Sequence, residues 1–358
     1  VRREPVQVRV ENLYYLLCYA WRCLDARDIV PVHASAGPAP EALFARVLNV
    51  AVQRLIRHRL DRGYQEESED LRRPRGKPRI GETLSRGLLE RGMVRCDFDE
   101  LTEDVLHNRI IKATLRRLAL VDTLDDEHRR DLGQLVRSLA HVTDLTVTSN
   151  DFRRVQVQGN RNRYRFVLNV CHLVHRCVLL DERVGRWRFR SFTGTEQAMG
   201  RLFQEFLREF LRTEQRVFPD VRSPQVPWDL DGDDGGLLPT MNTDIVLRSP
   251  GHTMVVEAKC YASPLVSRFG GGGALHAEHV YQLFAYVSNL AVKEATPVSG
   301  MLVYAVDRDL LPPTSFKLLG HEIRVLGVNL NRPWQRIHSE LLDAFRGAPS
   351  CAAEHASQ

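Results

Sequence analysis

Apolar residues recur along this chain at steps of three and four over long stretches and at alternate positions over short ones. The helical spacing is most regular over 195–213, where Met199, Leu202, Phe203, Phe206, Leu207, Phe210 and Leu211 give one wide apolar face. The same spacing predicts a helix after Asn12, read as its N-cap, with Leu13, Leu16, Leu17, Ala20 and Leu24 on one side. It predicts others over 40–60, from Asp99 to Leu120 with acids at the front, and over 124–139, 167–180, 276–290 and 334–345. Alternation or short apolar runs predict strands at 6–10, 145–147, 152–157, 185–192, 245–247, 254–256, 301–306, 316–318 and 323–330.

Between these elements the pattern breaks. Residues 31–40 read as a loop, and 59–95 is thick with charge, Gly and Pro, which predicts short strands and turns. Residues 219–239 form an irregular connector, and the glycine run at 269–273 predicts a flexible loop over a cleft. A boundary near residue 185 divides an α+β N-terminal region (1–185, helices with small β elements) from an α/β C-terminal domain (186–346), and 347–358 read as a disordered tail.

A length of 358 residues allows about two domains, and 43% hydrophobic content supports real cores. The balance of 50 basic and 45 acidic residues gives a net charge of +5, which permits a nucleic-acid partner without demanding one. Seven cysteines without a CxxC pair or zinc spacing predict reduced thiols and a cytoplasmic protein. No apolar run reaches the length of a membrane span, so no membrane is expected. Arg72, Arg73, Arg75, Lys77 and Arg79 make a local basic cluster, suited to phosphate, to an acidic protein surface or simply to solvent.

The chemistry gathers in MNTDIVLRSPGHTMVVEAKCY, residues 241–261. It reads as two strands joined by a turn at Ser249-Pro250-Gly251, with acids where a buried hairpin avoids them. Glu257 and Lys259 share one strand face, with Ala258 turned away. With Asp244 at the same level on the adjoining strand, two carboxylates and an ammonium meet at one point. Asp244, Glu257 and the Ala258 carbonyl offer the oxygen ligands that Mg²⁺, or Mn²⁺ in its place, prefers. Lys259 is then placed to orient water or to stabilise charge on an attacked phosphodiester. The spacing alone equally describes a surface hairpin with an ordinary Glu/Lys pair.

The order helix, strand, strand, helix, strand, strand, helix decides between them. With Asp244, then Glu257-Ala258-Lys259, then Gln282 and Tyr286 one helical turn apart, this region resembles the PD-(D/E)xK nucleases and their QxxxY helix. Thr243 stands where the naming proline would be. The resemblance implies a restriction-endonuclease-like fold with a mixed central sheet, Mg²⁺-dependent hydrolysis, and a nucleophile- or phosphate-orienting role for Gln282. Some members add a glutamate from the first helix; Gln204 or Glu205 would stand there.

A fuller resemblance runs through VRVENLYYLLCYAW (8–21), RGKPRIGETL (75–84), DELTEDVLHNRIIKATL (99–115), MNTDIVL, VVEAKCY and YQLFAYV. These are similar to the McrC family, the endonuclease subunit of McrBC-type restriction systems. That implies an N-terminal half that docks into a McrB-like AAA+ GTPase ring and stimulates it, and a C-terminal half that cuts double-stranded DNA carrying modified cytosine, an antiviral defence. It gives the Tyr-rich first helix and the cluster around Arg75 a docking role. The chain has no P-loop of its own, since Gly76-Lys77 is followed by Pro78. A repair nuclease working alone or with another motor, and a non-cleaving regulatory subunit of an NTPase ring, are the alternatives.

Overall fold

The computed structural model describes residues 6, 8–24, 39–155, 162–181, 186–189, 196–232, 235–261, 263–267 and 273–346. The chain forms two compact units, Ala39–Arg190 and a second built from Val1–Pro38 with Ser191–Gln358. The first helix, α1 (Val10–Ala20), therefore folds with the C-terminal unit, where a single division near residue 185 had placed it with the middle of the chain. The cause is a long-range polar anchor. Asn12 lies inside the helix, with Arg9 at the cap, and its amide donates to the carbonyls of Leu330 (2.6 Å) and Arg332 (2.8 Å). Val10 already belongs to α1, so the strand expected over 6–10 is not formed among the described residues.

The middle unit begins with α2 (Pro40–Arg57), which carries Pro at its first position and buries Phe44, Val47, Leu48, Ala51 and Leu55. Next come β1 (Gly63–Leu71), β2 (Lys77–Pro78), α3 (Ile80–Ser85) and β3 (Val94–Thr102), the strands pairing in the antiparallel order β1-β3-β2. Gly76 takes a left-handed φ of 69°, and a Cβ there would lie 2.2 Å from the Asp97 carbonyl, so only glycine fits.

Helix α4 (Leu106–Ala119) starts later than expected. Asp99 and Glu100, read as its acidic front, pair with Glu66 and Gln65 of β1 instead. After α5 (Asp126–Ser138), residues 145–147 form no strand, and 149–154 form the short helix α6 (Ser149–Arg154). A capping box between Thr148 and Asp151 starts it. The buried helix α7 (Asn162–Cys177) leads into a hairpin of β4 (Val178–Asp181) and β5 (Arg186–Phe189). Helices α2, α4, α5 and α7 pack together around Ile110, Leu115, Leu118, Leu132, Val170 and Val174.

The second unit resumes with α8 (Glu196–Glu214), whose Phe203, Phe206, Leu207, Phe210 and Leu211 are all fully buried. The connector after it contains two short strands, β6 (Asp220–Arg222) and β7 (Gln225–Val226), the latter paired with β8 (Met241–Asn242). Strands β9 (Ile245–Ser249) and β10 (His252–Cys260) form the expected hairpin. A small pair, β11 (Leu265–Ser267) and β12 (Gly273–Leu275), precedes α9 (Ala277–Ala291). Its glycine loop, apart from Gly273, and the tail 347–358 lie outside the described residues. The chain closes with β13 (Val298–Val306), β14 (Thr314–Leu318), β15 (His321–Asn329) and α10 (Trp334–Arg346).

Six strands make one mixed sheet in the order β14-β15-β13-β10-β9-β6. The β10–β13 and β13–β15 pairs are parallel and the rest antiparallel. Every residue of β13 is buried, as a central parallel strand requires. Leu283, Val287 and Leu290 of α9 share a core with Val255, Leu302 and Val325 of the sheet.

Helix α1 packs against α8 and α10, and its tyrosines are core residues. Tyr15 stacks on Trp334 at 4.6 Å, and Tyr19 meets Phe206 edge-on while donating to Glu214 (2.6 Å). Tyr14, Tyr15 and Tyr19 thus pack in the core of this unit, so the docking role that the resemblance gives the first helix does not fall to their side chains. No helix among the described residues is long and apolar enough to cross a membrane.

Candidate active site

Strand register brings the expected residues together. Ile245 pairs with Val256, so Asp244 arrives at the level of Glu257 on the neighbouring strand. The backbone just before it is pinned to the connector. Thr243 donates to the Pro224 carbonyl through Oγ1 (2.6 Å) and its N–H (3.3 Å), and Ser223 Oγ donates to the Thr243 carbonyl (2.6 Å).

Both Asp244 oxygens are engaged. Oδ2 accepts the Ala258 N–H at 2.8 Å, and Oδ1 accepts the side-chain amide of Gln204 from α8. Glu257 is 1% exposed. Its Oε1 accepts from Lys259 Nζ at 2.7 Å, while Oε2 is buried without a donor among the described residues. Lys259 also donates to Gln282 Oε1 (2.8 Å), Gln282 Nε2 donates to the Tyr286 hydroxyl (2.8 Å), and that hydroxyl donates to the Asn242 carbonyl (3.0 Å). The three links from Lys259 onward point one way, which fixes the Gln282 amide orientation and ends the chain on backbone.

The charges do not balance. Two buried carboxylates share one ammonium. Burial, then the neighbouring Asp244 charge, pushes the Glu257 carboxyl up to about 7, and burial raises Asp244 as well. Another buried acid of this unit shows the ordinary arrangement. Glu209 is 4% exposed and has Arg22 at 3.0 Å and Arg212 at 2.7 Å, two cations on one carboxylate. The excess at Asp244 and Glu257 is what a bound cation relieves.

The donor set fits a hard divalent ion. Glu257 Oε2 is a buried oxygen without a protein partner, each Asp244 oxygen keeps a lone pair beyond its one hydrogen bond, and all are carboxylates. Backbone N–H and C=O of one residue point to the same side of an extended strand, so the Ala258 carbonyl faces Asp244 along with its N–H. Among the described residues no group of three His, Cys, Asp or Glu side chains stands at metal-binding separations. A cation here would have two carboxylates, backbone oxygen and water as its ligands.

The structure therefore brings Asp244, Glu257, Ala258, Lys259 and Gln282 to one place. It also separates the two helix candidates: Gln204 reaches Asp244, whereas Glu205 pairs with Arg208. Tyr286 was visible only as a match to a spaced pair, and its anchoring on Asn242 gives that spacing a purpose. The pins from Ser223 and Thr243 carried no signal in the sequence, because they depend on an irregular connector.

The basic cluster belongs to the other unit. Arg75 lies over the Phe98 ring at 3.5 Å and near Glu100 (3.7 Å), and Arg79 pairs with Asp97 (2.5 Å). Arg72, Arg73 and Lys77 are exposed and have no ion pair among the described residues.

Comparison with known proteins places this architecture. The family model described as McrBC 5-methylcytosine restriction system component matches residues 11–305. The type IV methyl-directed restriction enzyme EcoKMcrBC of Escherichia coli K12 is 33% identical over 345 residues, covering 96% of this chain and 98% of that one. Among solved structures, a half-complex from the tetradecameric assembly of Thermococcus gammatolerans McrB AAA+ hexamers with bound McrC is similar in fold. Its TM-score is 0.61 at 15% identity, covering 94% of this chain and 75% of that chain. Asp244, Glu257, Lys259 and Gln282 fall inside the matched span, as do the pinned connector and the whole of α9. On the family match and the near-full-length relative, this chain belongs to the McrC family of McrBC 5-methylcytosine restriction system components.

Proposed function

We propose that this chain is the nuclease subunit of a modification-dependent restriction complex, hydrolysing phosphodiester bonds of DNA that carries 5-methylcytosine-type bases. The observation that carries the reading is the buried Asp244–Glu257 pair with Lys259 2.7 Å from Glu257. Asp244, Glu257 and the Ala258 carbonyl would hold Mg²⁺ or Mn²⁺, which would supply Lewis acidity toward the phosphate and a lowered pKa for water. Lys259 keeps one N–H beyond its bonds to Glu257 and Gln282, and turns it toward the attacking water or a phosphate oxygen. Gln282, locked through Tyr286, holds the ammonium in that direction. Burial keeps these groups rigid and strengthens their action on developing negative charge.

Selection of the target and use of nucleotide come from a partner, a McrB-like AAA+ GTPase ring that this chain binds and stimulates. The family match and the assembly of McrB hexamers with bound McrC in the similar structure support that reading. With the tyrosines of α1 buried, the docking surface falls to the middle unit, where Arg72, Arg73 and Lys77 are open to solvent.

The test is cleavage of methylated plasmid in Mg²⁺ by this chain, the ring protein and GTP, with each left out in turn. Cutting in the complete mixture alone is the expected result. Cutting by this chain without the ring makes it a solitary nuclease, and equal cutting of unmethylated plasmid removes the modification dependence.

A further inference from the structure

We infer that each chain holds a single catalytic cation and that Gln204 is the positioning residue that sets this number. The inference rests on the metal reading of the active site and deepens it.

Helix α8 packs on β10 and delivers position 204 to the first catalytic acid. An ionised carboxylate only accepts hydrogen bonds, so the amide nitrogen of Gln204 must face Asp244 Oδ1. With the Ala258 N–H on Oδ2, the Asp244 carboxylate is clamped by one donor per oxygen and cannot swing. One lone pair of each oxygen is spent on these donors. Glutamine thus takes acceptor capacity from the site and brings no negative charge to it.

The remaining charges set the capacity. Asp244 and Glu257 supply two negative charges, Lys259 offsets one, and Arg208, whose charge also reaches Asp244, is itself paired with Glu205. One divalent ion relieves that excess, whereas a second would meet a site already carrying net positive charge. Mg²⁺ is commonly bound through one or two protein carboxylates, and this pair is used up by the first ion. The next acid along α8, Glu205, is turned to Arg208 and supplies nothing. A carboxylate at 204 in place of the amide would add both a charge and a ligand.

The test is Mn²⁺ binding to the full chain without DNA, read as stoichiometry and affinity by calorimetry and by electron paramagnetic resonance of free Mn²⁺. Wild type is expected to bind one ion per chain. Gln204→Ala should still bind one, about tenfold more weakly, because Asp244 is no longer held. Gln204→Glu should take up a second ion, and a Gln204→Glu variant that still binds one ion, however tightly, overturns the claim that residue 204 sets the number. Circular dichroism of each variant shows that it is folded. Two ions on wild type, both lost in Asp244→Asn, overturn the inference. So do Gln204 variants that bind as wild type does. Wild-type binding by Asp244→Asn is a different failure, since it removes the metal reading itself.

Discussion

Strand β1 of the middle unit and strand β10 of the second unit are both charged, yet their charges live under opposite conditions. On β1 and its neighbour β3, Asp70, Asp97 and Glu100 are each matched by arginine. Ser68 Oγ donates to Asp97, and that bond, reinforced by Arg79, holds the Asp97 carboxyl below the usual range. Asp70 has both Arg95 (3.0 Å) and Arg86 (3.3 Å). On β10, Glu257 is buried, outnumbers its cation together with Asp244, and is pushed up to about 7. The first arrangement satisfies itself and needs no ligand. The second is costly until something positive arrives, and such cost persists in a fold where function needs it.

The contrast is sharpest in activity. Lys259→Ala should lower DNA cutting by about 10³-fold, the scale of a lost transition-state donor, in a plasmid assay with the complete mixture. Asp70→Asn should leave cutting within about twofold, because its ion pairs are partly exposed and it belongs to the unit that does not carry Asp244 and Glu257.

Stability against pH separates the same regions. In chelator, the folded state keeps the Glu257 proton up to about 7, whereas an unfolded glutamate loses it near 4.5. The folded state therefore binds more protons between those values, so unfolding free energy falls as pH rises through that window. Glu257→Gln removes the fall. It should be more stable than wild type at pH 8 by on the order of 1–3 kcal/mol, and equal to it below pH 4.5, by urea denaturation. Added Mn²⁺ should stabilise wild type and not the variant.

A smaller effect is expected from Tyr286→Phe. It removes the hydroxyl that ends the relay on Asn242, costing about 1 kcal/mol in urea melts and about tenfold in cutting rate, with Mn²⁺ affinity unchanged. The smallest belongs to Asp70→Asn, at most about 1 kcal/mol and shrinking with added salt.

The site was more legible in the sequence than much of the fold around it. Asp244, Glu257 and Lys259 could be placed together because strand alternation is a strict period of two, and one turn signal fixed the hairpin register. Gln204 and Glu205 could not be told apart, since adjacent helix positions both flank an apolar stripe and only packing chooses. The acids from Asp99 looked like a helix front, but non-local pairing with β1 claims them for a strand. Asn12 has the chemistry of an N-cap and uses it instead on carbonyls 318 and 320 residues away. That long-range bond is also why the first helix joins the C-terminal unit, which no local pattern signals.

In the proposed function, Asp244 with Glu257 and Lys259 performs metal-dependent cutting while the middle unit engages the ring. The most direct measurement is Asp244→Ala in the complete mixture, with methylated-plasmid cleavage and partner GTP hydrolysis read from the same reaction. Cutting should vanish while GTP hydrolysis stays as fast as with wild type. Surviving cleavage, with the variant folded, would contradict the claim.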